Sequence, residues 1–183
     1  MGIEAFAGTT FGKLYIKFIA AAIESRFRYR FFEPKRILQG IDNLIGQEVL
    51  EIGCGTGFFT IPAAQMIGEQ GKLISMDILP GSVEFVSKRV QEANLQNVNV
   101  IKGDALTTGL ENESFDSVIL FGVIPAPMLP LTRLLSEIHR VLKSGGNLAV
   151  WPPIPLWLPK SILKSRLFKY AGKRNHVYNF SRS

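Results

Sequence analysis

The sequence predicts a doubly wound α/β fold, with a mostly parallel sheet covered by helices on both faces. Three observations lead there. Between residues 47 and 151, short apolar runs alternate with segments of helical periodicity. The connections between them are short, as parallel strands joined by crossover helices require. The first apolar run ends in a cluster of alternate glycines, the place where such a sheet opens a ligand crevice.

The elements follow in order. Residues 47–52 read as a short buried strand, and 57–68 as the helix after the glycines. Residues 73–77 form a strand and 81–94 a helix. A strand over 98–101 leads into a polar loop, and 115–121 is a near-continuous apolar strand. Residues 131–143 read as a helix that Gly145 and Gly146 cap, before a strand over 148–151. Upstream, Phe11, Leu14, Tyr15, Phe18, Ile19, Ala22, Ile23 and Phe27 recur at helical spacing, and 35–44 read as a second short helix begun by Pro34. Downstream, Pro152, Pro153, Pro155 and Pro159 break the pattern. A basic amphipathic stretch follows, read as a helix covering the core, and 176–181 fit a terminal antiparallel edge strand. Residues 1–183 are therefore expected to form one domain, with N-terminal helices over 1–46, a ligand-binding core over 47–151 and a basic segment over 152–183.

Composition narrows the class. A chain of 183 residues can bury a substantial core without disulfides or metals. Cys54 is the single cysteine, so no internal disulfide is possible, and with two histidines it makes no conventional zinc site. One thiol and no secretory leader pattern lead us to expect a reducing, cytoplasmic setting. No run approaches the roughly 18 apolar residues that cross a bilayer. Net charge is +6, distributed as +4 over residues 1–40, −5 over 41–155 and +7 over 156–183. Basic ends around an acidic middle suit an anionic partner such as a lipid surface or nucleic acid; equally, they could only solvate apolar helices.

The most informative segment is Val49-Leu50-Glu51-Ile52-Gly53-Cys54-Gly55-Thr56-Gly57. Its glycines permit a tight turn with positive φ and let backbone N–H groups approach a ligand. Two cofactors compete for that crevice. A dinucleotide site wants its third glycine at position 58, where this chain has Phe58. Glu51 would repel a pyrophosphate and favour a ligand carrying an ammonium.

This block resembles motif I of the class I S-adenosylmethionine-dependent methyltransferases, whose core is a Rossmann-like sheet. Four further blocks agree in order: Ile74-Ser75-Met76-Asp77, Gly103-Asp104-Ala105, Phe115-Asp116-Ser117-Val118-Ile119, and Glu137 to Gly146. The resemblance covers about residues 47–151 and implies a cofactor site of Glu51, Gly53, Cys54, Gly55, Thr56, Gly57, Asp77, Ile78, Asp104, Ala105 and Phe121. It implies that Asp77 accepts both ribose hydroxyls and that Asp104 accepts from the adenine amino group. S-adenosylhomocysteine would be the product. Simpler readings stand beside these: Asp77 as a helix cap, Asp104 as a turn aspartate, Glu51 as a structural acid. Cys54 is expected to offer its backbone, not a nucleophile. His139 reads as a surface residue, and His176 has no visible partner.

Methyl transfer from a sulfonium is an in-line displacement that needs a base only if the acceptor must lose a proton. Residues 121–128 carry no Asp, Asn, His, Tyr or Lys, so no catalytic residue is nominated. The Asn/Asp-Pro-Pro-aromatic motif of nucleic-acid base methyltransferases is absent, which argues against a nucleic-acid partner. With Trp151, Pro155, Leu156 and Trp157, this segment is expected to line an apolar acceptor site. The blocks look similar to the ubiquinone/menaquinone-biosynthesis methyltransferases, which implies a small lipid-like or aromatic acceptor. Phe11, Tyr15 and Phe18 could form a lid or pack on the sheet. Lys160, Lys164, Arg166, Lys169, Lys173 and Arg174 could grip anionic lipid, with Trp151 and Trp157 at the interface. Two other classes stay open: a non-catalytic cofactor-binding module and a nicotinamide-dependent oxidoreductase.

Overall fold

The computed structural model describes residues 33–124, 129–152 and 160–183. The expected helix over 11–30 with its lid reading, Pro125 to Met128, and the segment containing Pro155, Leu156 and Trp157 lie outside the described residues. The described elements run α1 (Pro34–Leu38), β1 (Glu48–Ile52), α2 (Thr60–Ile67), β2 (Lys72–Asp77), α3 (Pro80–Glu92), β3 (Val98–Lys102), β4 (Phe115–Phe121), α4 (Leu131–Val141), β5 (Leu142–Trp151), α5 (Lys160–Lys164), β6 (Phe168–Arg174) and β7 (Val177–Arg182).

The strands form one seven-stranded sheet in the order β3-β2-β1-β4-β5-β7-β6. Strands β1 to β5 are mutually parallel, whereas β7 runs antiparallel to β5 and β6 antiparallel to β7. From β1 the chain winds outward through β2 and β3, then returns to β4 on the opposite side of β1. That reversal opens a crevice at the carboxyl ends of β1 and β4. Strand β4 shows why its sequence is continuously apolar. Val118 and Leu120 enter one core with Leu134, Leu135 and Ile138 of α4, while Ile119 and Phe121 enter the other with Ala63, Ala64 and Ile67 of α2.

Three expectations need correction. Gly145 and Gly146 do not cap the preceding helix, which ends at Val141 with Leu142 already extended at φ −70° and ψ 140°. They lie in β5, where a register shift loops residues out between the Leu142 and Asn147 pairings. A Cβ on Gly146 would stand 2.9 Å from the Lys143 carbonyl oxygen and 3.1 Å from that of Asp116, so close strand approach excludes a side chain. The second helix, expected over 35–44, is helical only over Pro34–Leu38.

The basic tail is the third correction. Among its described residues Lys160–Lys164 alone is helical, and the following residues form a hairpin in place of a covering helix. Arg174 pairs with Val177 across Asn175 and His176, whose φ values of 47° and 65° give the left-handed two-residue turn favoured in hairpins. The expected terminal strand exists, but β6 forms the sheet edge and β7 lies inside it. Lys169, Lys173 and Arg174 are exposed on that edge, where charge discourages further strand pairing.

Candidate functional site

The loop over 53–57 leaves the carboxyl end of β1 with three glycines in the left-handed region, at φ 79°, 54° and 75° for Gly53, Gly55 and Gly57. Its amides are largely spent inside the protein. Gly53 and Cys54 N–H donate to the Met76 carbonyl oxygen at 2.8 and 3.1 Å, and Gly57 N–H donates to that of Cys54 at 2.8 Å. Gly55 N–H donates to Oδ2 of Asp77 at 2.9 Å. The expectation that this loop offers its N–H groups to a ligand is therefore corrected: four of those five amides already have protein acceptors. A Cβ on Gly53 would meet Val123 Cγ2 at 2.6 Å, so the chain after β4 presses on the loop, while Gly55 faces open space.

Two acids lie beneath and beside the loop. Glu51 projects from β1 toward α2 and is buried. Its Oε2 accepts from the Thr60 hydroxyl at 2.6 Å and from that of Ser75, its cross-strand neighbour on β2. Burial pushes its carboxyl above the usual carboxylate range; the two hydroxyls oppose this and the charge of Asp77 adds to it. Asp77 ends β2. One oxygen holds Gly55 N–H, and Oδ1 accepts from Leu79 N–H at 3.0 Å at the start of α3. Burial raises its carboxyl too, against the lowering effect of the N–H groups of Leu79, Gly55 and Ile78. Asp77 thus makes a turn leading into the next helix and does not cap it, because Leu79 is the N-cap residue and no side chain bonds the first turn; each of its oxygens retains acceptor capacity for a ligand hydroxyl.

The loop after β3 joins the same site, because Gly103 N–H donates to the Asp77 carbonyl oxygen at 3.0 Å. Asp104 makes a local turn, its Oδ1 accepting from Leu106 N–H at 2.9 Å, with Ala105 half-buried beside it. Further along, Glu137 of α4 accepts from the Thr108 amide and hydroxyl at 2.8 and 2.6 Å. Arg140 binds Glu137, the Leu110 carbonyl oxygen and Asn112. This clamp anchors the loop to the helix.

Other expected residues go elsewhere. Phe121 is buried, and its ring packs edge-on to Phe59 with centroids 5.0 Å apart, so only its backbone is left for the crevice. Trp151 is buried in the same cluster, 5.7 Å from Phe59, and so neither lines an acceptor site with its ring nor reaches a membrane interface. This follows from β4–β5 pairing, which sets Phe121 opposite Trp151 and turns both rings toward α2. The Cys54 thiol is buried and driven far up by that burial and by the charges of Glu51 and Asp77, which removes it as a nucleophile. His139 is half-buried, its ring edge-on to Phe168 at 5.9 Å, not a free surface residue. His176 is a hairpin turn residue. No His/Cys/Asp/Glu group fit for a metal ion occurs among the described residues, and none of their helices is long and apolar enough to cross a membrane. Sequence reasoning missed Thr60 and Ser75, the two hydroxyls that hold Glu51. Ser75, a hydroxyl in a strand otherwise apolar inside, was the one local signal.

Known proteins resemble this chain in sequence and in fold. A family model described as a methyltransferase domain matches residues 49–146. An aklanonic acid methyltransferase of Streptomyces sp. strain C5 is 34% identical over 132 residues, covering 70% of this chain and 59% of that protein. A demethylmenaquinone methyltransferase of Listeria welshimeri is 36% identical over 117 residues, 61% of this chain and 49% of that protein. The chain thus spans about half the length of the curated relatives it matches. In fold, a SAM-dependent methyltransferase from Aquifex aeolicus superposes with a TM-score of 0.72 at 21% identity, covering 89% of this chain and 95% of that one.

Proposed function

On the premise that the chain belongs to the methyltransferase-domain family, in its class I S-adenosylmethionine-dependent form, we propose that it transfers a methyl group from S-adenosylmethionine to a small quinone-like or aromatic acceptor. The observation that carries this reading is the condition of the glycine loop. With the amides of Gly53, Cys54, Gly55 and Gly57 donated internally and two carboxylates beside them, the crevice has little to offer a pyrophosphate. It suits a ligand with hydroxyls and a cationic amino acid end.

The residues present fit that cofactor. Asp77 has an unused acceptor site on each oxygen for the ribose hydroxyls, Ile78 and Ala105 flank the acids, and Asp104, with Oδ1 engaged by Leu106 N–H, would accept from the adenine amino group through its other oxygen. Glu51 acts from beneath, biasing the loop toward positive charge. Gly55, open above, leaves room for the ligand. When bound, the sulfonium supplies the activated methyl group; the protein's share is to hold donor and acceptor in line in a dry pocket. No general base is assigned, because no described side chain at the end of β4 is basic.

The acceptor class rests on the activities for which the relatives are named and on the apolar segment after β4. Residues 1–183 are proposed as one such domain. Contact with an anionic membrane is proposed through the exposed Lys160, Lys164, Arg166 and Lys169; Lys173 is engaged with the Tyr178 hydroxyl at 3.1 Å and Arg174 with Asp42 at 3.3 Å. Flotation with anionic vesicles at low salt should carry the protein, and its absence there would remove this partner. Calorimetry tests the main reading: S-adenosylhomocysteine should bind in the micromolar range and NAD should give no heat. The reverse result would sink it.

A further inference from the structure

The glycine loop is held from two directions. Four bonds come from its own neighbourhood, through the Met76 carbonyl, the Asp77 carboxylate and the Cys54 carbonyl. A fifth comes from α3, where Arg89 Nη1 donates to the Thr56 carbonyl oxygen at 2.7 Å, across 33 positions of sequence. Helix α3 lies close against the loop at this point: a Cβ on Gly57 would stand 3.3 Å from Val86 Cγ2 and 3.8 Å from Arg89 Nη1. The ring of Phe85, one turn earlier, has its centroid 6.0 Å from the guanidinium carbon. Arg89 itself is half-buried.

The Thr56–Gly57 peptide is therefore gripped at both ends, its oxygen by Arg89 and its N–H by the Cys54 carbonyl. It needs that grip. Gly57 is at φ 75°, and a glycine crosses between left- and right-handed conformations with little penalty, so with its oxygen released the peptide plane is held by the Gly57 N–H bond alone and flips more readily. A loop that must order on binding loses affinity in proportion to that ordering.

We propose that Arg89 is a positioning residue for the cofactor, acting through the Thr56 carbonyl to keep the glycine loop in its binding shape. This rests on the S-adenosylmethionine reading of the site. Arg89 touches no reacting atom; its role is pre-organisation. The side chain's planar, always-charged head suits a carbonyl that must be held against a mobile neighbour.

The test uses the full chain, with S-adenosylhomocysteine as the calorimetric probe. Arg89→Met keeps the aliphatic stem over Phe85 and removes the donor. We expect its affinity for the probe to fall about tenfold, the scale of one lost hydrogen bond to a charged group. Exchange of the Gly57 amide hydrogen should quicken in parallel, and Arg89→Lys should recover most of both. Probe affinity in Arg89→Met equal to the parent's, or a lysine variant as weak as the methionine one, overturns the proposal. An arm independent of any variant reads the parent by NMR: the Arg89 guanidinium should show hindered rotation about Cζ–Nη1, and free rotation there overturns the proposal as well. If the parent binds no S-adenosylhomocysteine, the functional reading fails, while Gly57 exchange and guanidinium rotation still decide whether the clamp exists.

Discussion

Glu51 and Asp77, at the crevice, are held by hydroxyls and backbone N–H groups. Glu137 and Asp116, in the supporting frame, are held by cations: Arg140 at 2.6 Å and Lys143 at 2.7 Å. The two pairs shift in opposite directions. Arg140 holds the Glu137 carboxyl at about 2, below its ordinary 4.5. For Asp116, burial acts upward, but the hydrogen bonds from Lys143 and from Glu48 N–H outweigh it and lower the carboxyl. At Glu51 and Asp77 burial wins and the carboxyls rise. The frame acids are stabilised as anions where they sit. The crevice acids are kept in an environment that disfavours their charge until something positive or hydrogen-bonding arrives, the usual condition of a functional site.

Breaking this contrast at the crevice should have the largest effect. Asp77→Ala should weaken S-adenosylhomocysteine binding by about 1–3 kcal/mol while changing the unfolding free energy little, because it also removes a buried charge. Titration calorimetry and denaturant melts of the same sample separate the two quantities. Unchanged affinity would take Asp77 out of the site.

Breaking it in the frame should do the opposite. Glu137→Ala should cost about 1–2 kcal/mol of stability, reduced by the solvent around the partly exposed Arg140, and leave cofactor affinity nearly intact. The pH dependence has a definite sign. A carboxylate depressed from 4.5 to about 2 contributes stability in full above about 4.5 and loses it as the pH falls toward 2. Denaturant midpoints across that acid range should therefore drop more steeply in the parent than in Glu137→Ala. Parallel curves would show that the clamp does not contribute to stability.

The smallest effect sharpens the contrast. Glu51→Gln keeps an acceptor for Thr60 and Ser75 and removes the disfavoured charge, so it should raise stability at neutral pH by about 1 kcal/mol. A carboxyl whose folded pKa is raised stabilises the fold below 4.5 and loses that contribution as the pH rises through its folded value. The parent should accordingly lose stability as the pH rises above 4.5, and the variant should lose less. A variant no more stable than the parent at neutral pH would mean that the hydroxyls compensate Glu51 fully.

Much of the core was legible from local pattern. The strand–helix alternation from 47 to 151, the glycine loop and Asp77 all appear where the sequence places them, because period, glycine spacing and a strand's terminal acid are properties of a few adjacent residues. The glycine pair at 145–146 was misread for the same reason. Two glycines after a helical run look like a cap, and only the neighbouring strand reveals that Gly146 is small to admit the Asp116 carbonyl. In the tail, lysines at helical spacing also fit one edge of a hairpin, and the deciding partner is the pairing of β7 with β5.

By itself, then, the sequence determined the order of elements from 47 to 151, the fold class and the crevice that a glycine-terminated strand must open. The tertiary structure decided what fills it. It turned Phe121 and Trp151 inward against Phe59, gave Glu51 two hydroxyls from α2 and β2, and brought Arg89 to the carbonyl of Thr56. Each of these depends on groups that strand register and helix docking bring together from positions 9 to 92 residues apart. No local pattern encodes such meetings, because they exist only once the sheet has closed its register.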